Sequence, residues 1–100
     1  MAKTLKIDIP HQLGREGARA RIDGGLDKLN TLIPGFTTGD YHWDGDVFGF
    51  SASGMGQSVP CRLAVADTQV RLEMDLPLMF AMFAGPIREK LERDAPRLLQ

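Results

Sequence analysis

The sequence predicts an α+β fold: a two-layer sandwich in the order β-α-β-β-β-β-α, with an antiparallel sheet of about five strands and two helices on one face. Three observations predict it. Five segments alternate apolar and polar residues with period two, the mark of strands with one buried and one solvated face, which suits an antiparallel sheet. Two further segments place apolar residues at helical steps of three and four. One follows the first strand and the other closes the chain, an order that a two-layer sandwich accommodates. The 100 residues match the usual size of one domain, roughly 100–150 residues, so residues 1–100 are expected to form a single α+β domain.

In the first strand Leu5, Ile7 and Ile9 alternate with Lys6 and Asp8, and Pro10 closes it by removing a backbone donor. From about Gly14 to Ile33 the residues Ala18, Ile22, Leu26, Leu29 and Ile33 fall at helical spacing, and Pro34-Gly35 ends the run. Gly17, Gly24 and Gly25 each lower helix propensity by about 1 kcal/mol relative to Ala, so this helix must be held by packing. Tyr41 and Trp43 alternate with Asp40, His42 and Asp44; Asp44-Gly45 signals a tight turn before Phe48, Phe50 and Ala52. Gly54-Met55-Gly56 makes the next turn, into Val59, Cys61, Leu63 and Val65, with Pro60 pointing to an edge or a bulge. Asp67-Thr68-Gln69 turns the chain into Val70, Leu72, Met74 and Leu76. In the closing helix Ile87, Leu91, Ala95 and Leu98 share a face, and Pro86 suits its first turn. The core is therefore expected to set Ile7, Phe50, Cys61, Leu63, Leu72 and Met74 on the inner face of the sheet, under Ile22, Leu29, Ile87 and Leu91.

Composition narrows the function classes. With 43% hydrophobic and 25% charged residues, the chain has material for a core and for solubility. Twelve basic against thirteen acidic residues, a formal net charge of -1, lack the basic footprint of a general nucleic-acid binder, so no nucleic-acid partner is expected. The lone Cys61 makes no internal disulfide, the first residues show no apolar leader, and no apolar run nears the ~20 residues of a transmembrane segment. A cytoplasmic location and at most peripheral contact with lipid are expected.

The motifs that suggest chemistry fall short of it. Asp40 to Asp46 concentrates carboxylates and His42, but counting from Asp40 puts Ser51 where a calcium loop needs its closing carboxylate. His11, His42 and Cys61 lack the paired spacing of a zinc site. Gly49-Phe50-Ser51-Ala52-Ser53 misses the final glycine of a nucleophile elbow, and Gly54 and Gly56 read as a turn and not as a dinucleotide loop. No catalytic residue, metal site or cofactor is expected. The segment Leu78 to Phe83 is different, because Met79, Phe80, Met82 and Phe83 point in more directions than one helical face can bury. Either Phe80 and Phe83 fill the core with the methionines plugging gaps, or part of the cluster stays exposed for a partner chain or an apolar surface.

The opening Ile7-Asp8-Ile9-Pro10-His11-Gln12-Leu13-Gly14 with Ala18-Arg19-Ala20-Arg21-Ile22 resembles the start of the small bacterial proteins of the polyhydroxyalkanoic acid system family. Trp43-Asp44-Gly45-Asp46 leading to Phe48-Gly49-Phe50-Ser51, then Val70-Arg71-Leu72-Glu73-Met74 and Ile87-Arg88-Glu89-Lys90-Leu91, extend the resemblance over about residues 5 to 99. It implies association, through gene context, with synthesis or storage of polyhydroxyalkanoate, an apolar polyester kept as cytoplasmic granules, and it carries over no catalytic or binding residue. Gly24-Gly25 and the methionine-rich Leu78 to Phe83 depart from a typical member. The expectation is a non-enzymatic accessory protein that touches a granule surface or a granule-associated protein through Met79, Phe80, Met82 and Phe83. The alternatives are a helix-grip-like domain that binds a small apolar ligand or acts on it, and a homodimer with no lipid role.

Overall fold

The computed structural model of the chain describes residues 3–30 and 35–99. Strands β1 (Lys3–Pro10), β2 (Thr37–Asp44), β3 (Val47–Gly54), β4 (Gln57–Val65) and β5 (Gln69–Leu76) form one sheet in the order β1-β5-β4-β3-β2. Every neighbouring pair is antiparallel. The register lines up the apolar sets in cross-strand rows: Ile7, Leu72, Leu63 and Phe48 in one, Leu5, Met74, Cys61 and Phe50 in the next. Because side chains alternate with period two, this register buries both rows together and turns Lys6, Asp8, Arg62, Arg71 and Glu73 to the other face.

Helices α1 (Gly14–Gly24), α2 (Leu26–Asn30), α3 (Leu78–Ala81) and α4 (Ala84–Asp94), and a 3-10 turn over Ala95–Leu99, complete the second layer. Ile22, Leu29 and Leu91 are fully buried in one continuous core with both rows, while Ile87 is only partly covered. The α+β sandwich and its antiparallel sheet are thus as the periodicity predicts.

The differences have local causes. The single helix expected over Gly14 to Ile33 breaks at Gly25, whose N–H bonds to the Ile22 carbonyl and whose own carbonyl accepts from Lys28 and Leu29, so one helix ends and another begins. A Cβ at Gly25 would stand 2.9 Å from the Arg21 carbonyl oxygen. Ile33 and Pro34, with the end of that run, lie outside the described residues. The closing helix ends at Asp94, and Ala95 and Leu98 pack from the 3-10 turn. Pro96 has no N–H to continue an α-helical ladder, and a three-residue repeat keeps Ala95 and Leu98 on one side. Pro60 sits in the interior strand β4, not at an edge, at the point where the ladder to β5, which starts at Cys61↔Met74, gives out. In β2 the register shifts between Gly39 and His42, with Asp40 at φ 55, so a bulge breaks the alternation that would have put Asp40, His42 and Asp44 on one face.

Candidate functional site: an apolar pocket and its exposed rim

The strand connections divide the sheet into two ends of opposite character. One end carries the β2–β3 and β4–β5 turns. There Arg15 of α1 pairs with Asp46 at 3.1 Å and with Asp67 at 3.6 Å, and Arg19 reaches Asp46 at 3.6 Å while its guanidinium lies 4.5 Å from the centre of the Trp43 ring. Trp43 donates its indole N–H to Asp23 at 2.8 Å, so this polar end ties helix to sheet. The end with the β3–β4 turn carries a group of apolar residues on its helical side. Leu76 finishes β5 there, and Pro77 starts the turn of α3, with the Phe80 N–H bonded to the Pro77 carbonyl.

Helix α3 is one turn long, so its residues fan out in all directions. Phe80 turns inward and is 7% exposed, whereas Leu78, Met79, Met82 and Phe83 are 69%, 53%, 81% and 51% exposed. Of the four residues that the sequence singles out, Phe80 therefore belongs to the core, and Met79, Met82 and Phe83 form a rim with Leu78.

Behind this rim lies a half-open pocket of about 290 Å³ whose described lining residues are all apolar. Val59, Met74 and Leu76 form its floor on the sheet, and Phe80, Phe83 and Ile87 form the helical wall. Phe36 and Met55 close the opposite side. The Phe36 ring stands edge-on to Phe80, centroids 5.8 Å apart. It can come this close because residue 54 is glycine: a Cβ there would stand 2.8 Å from the Gly35 carbonyl oxygen and 3.0 Å from the Phe36 ring.

Met55 is held against its backbone preference. Gly54 and Gln57 face each other across a two-residue turn in which Met55 and Gly56 both have positive φ, 53° and 75°. Such turns favour Asn-Gly, and a non-glycine residue in the left-handed region costs on the order of 1 kcal/mol or more. The side chain placed there is a methionine, 75% exposed. Phe36 and Met55 are the site residues that sequence reasoning missed. The legible signal was the Gly-Met-Gly turn, which sets a large apolar side chain where a polar or glycine residue is usual.

Among the described residues no group of His, Cys, Asp and Glu gathers to hold a metal ion. His42 lies over Gly49, where a Cβ would stand 2.4 Å from the imidazole, and its Nδ1 lies 3.1 Å from the Asp40 carbonyl oxygen. Cys61 is buried, its thiol donating to the Val59 carbonyl at 3.4 Å, and burial pushes the thiol pKa up to about 12. That thiol has none of the low-pKa, accessible character of a nucleophilic cysteine. No described helix is long and apolar enough to cross a membrane.

Fold and pocket together define a small α+β protein whose distinctive surface is apolar and not a constellation of polar groups. Residues 5–99 match the family of polyhydroxyalkanoic acid system proteins, and the chain belongs to that family. No curated protein and no solved structure matches it.

Proposed function

We propose that the protein is a non-enzymatic accessory factor of polyhydroxyalkanoate storage or metabolism, and that it works by seating its apolar end on the surface of the polyester granule. One observation carries this reading: Leu78 and Met79 on the short α3, and Met82 and Phe83 in the turn that follows it, all stand exposed within six residues of chain. Each large apolar side chain left in water forgoes roughly 1.5–3 kcal/mol of burial, so such a cluster is best explained by a surface that covers it. Membership of the polyhydroxyalkanoic acid system family supports an apolar polyester as that surface. The charged opposite end would then remain in water.

The test is co-sedimentation with polyhydroxyalkanoate particles. The wild-type chain should pellet with them, and the double variant Met79→Ser, Met82→Ser should stay largely in the supernatant with a melting temperature within a degree or two of wild type. Equal pelleting of both proteins would remove the granule contact. A loss of self-association instead, seen by sedimentation equilibrium, would assign the rim to a homodimer.

A further inference from the structure

The pocket behind the rim is a separate feature from the exposed residues on it, and its shape and chemistry select an occupant. We infer that it is a binding site for one unbranched alkyl chain of about eight to ten carbons, entered past Met55 and Phe83, with any polar head left outside in water. The volume sets the length: an apolar cavity of about 150 Å³ accommodates benzene, so 290 Å³ has room for about twice benzene's volume, which methylenes, bulkier than aromatic CH groups, fill at roughly eight to ten carbons. The lining sets the chemistry. Among the described residues the lining offers no polar atom to receive a carboxylate, hydroxyl or ester, so it suits hydrocarbon. The floor sets the form, because Val59, Met74 and Leu76 of the sheet are buried beneath the helical wall, where a slender chain fits better than the flat face of another protein.

Two features of the protein are spent on keeping this space open. Gly54 lets the Phe36 ring stand against the β3–β4 hairpin as a wall, since a Cβ at residue 54 would stand 3.0 Å from that ring. Met55 occupies a left-handed turn position, where methionine is disfavoured, and so hangs an adaptable apolar side chain at the mouth.

This inference goes beyond the granule contact and fails separately from it, because the probe is a small neutral alcohol and the readout is not pelleting. The isotopically labelled full chain is titrated with 1-octanol and followed by amide and methyl NMR. We expect saturable shifts at one equivalent, centred on Phe36, Val59, Leu76 and Ile87. Across the series from butanol to dodecanol, affinity should rise about three- to fourfold per added methylene and level off near ten carbons, where the pocket is full. Filling the site with Ile87→Trp should weaken octanol at least tenfold, as should Met55→Lys, an exposed turn substitution that keeps the fold if the first does not. Met79→Ser with Met82→Ser should change octanol affinity less than twofold. Displacement of octanol by polyhydroxyalkanoate particles would assign the natural chain to the polymer, and undiminished binding beside them would assign it to a free small molecule. Shifts that never saturate, that spread over the molecule, or that persist unchanged in folded Met55→Lys would overturn the inference. Dilution-dependent shifts at the same residues without alcohol would overturn it too, because the pocket would then be filled by a second copy.

Discussion

Single side chains in this protein are placed by quite different forces. Cys61 points into the sheet's inner face because its strand alternates, and burial then holds its thiol protonated up to about pH 12. In the unfolded chain the same thiol ionises near its ordinary value of about 8.5. A group whose folded pKa is raised gives its full stability below the unfolded value and loses it as pH climbs toward the folded one. Stability should therefore decline between about pH 9 and pH 12, and Cys61→Ala should flatten that decline when urea midpoints are measured across the range. Native protein at pH 8 should also resist iodoacetamide, with labelling only after unfolding. His11 is placed by hydrogen bonds instead. Its Nδ1 accepts from the Leu13 amide at 3.1 Å, which makes Nε2 the donor to the Ala66 carbonyl at 3.1 Å, and its own amide donates to the Thr68 carbonyl at 2.9 Å. The inward place of Cys61 was legible from spacing alone. The role of His11 was not, because two of its partners lie more than fifty residues away.

Among the elements, strands announce themselves in this sequence better than helices do. A period of two survives over eight residues, and the register then follows from which face is apolar. The helical layer is built of pieces, and two of its breaks come from backbone features that apolar spacing does not register: Gly25 between α1 and α2, Pro96 after α4. The short α3 shows how far one turn can serve two purposes. Phe80 packs into the core against Phe36 while its neighbours Met79 and Met82 stay in water. Phe80→Ala should lower stability by about 3 kcal/mol, read from chemical denaturation, whereas substitutions at Met79 or Met82 should fall within about 0.5 kcal/mol. A loss from Met82→Ala equal to that from Phe80→Ala would show that the rim is ordinary core. The sequence pattern identifies the crowding in this segment; which side chains lose the competition for cover depends on the exact turn that Pro77 starts.

At the scale of the molecule, the two faces of the sheet are held in different ways. The inner face carries the core, and the outer face carries a cross-strand lattice of charge. Arg62 bonds to Asp75 at 3.1 Å and approaches Glu73 at 3.7 Å, Thr4 donates to Asp75 at 3.0 Å, and Arg71 bonds to Asp8 at 2.8 Å. The guanidinium of Arg62, helped by Thr4, holds the Asp75 carboxyl below its usual range, and Arg71 does the same for Asp8. Groups whose folded pKa is lowered stabilise the fold above the unfolded value near ~3.9 and stop doing so as pH falls through the folded one. Stability should therefore drop as pH falls below about 4, and Asp75→Asn should reduce the size of that drop more than Asp8→Asn, since the more exposed Asp8 pair is screened by water. Equal acid sensitivity in all three proteins would place the acid response elsewhere. The order of the strands has a last consequence. The sheet ends on β1 and β2, and both outer strands are poor templates for another chain. β1 carries Lys6 and Asp8 and stops at Pro10, and β2 is bent by its bulge at Asp40. Edge-to-edge growth into ribbons or fibrils is thus blocked on both flanks, which lets the molecule keep a sticky apolar tip in crowded solution without zipping into an aggregate.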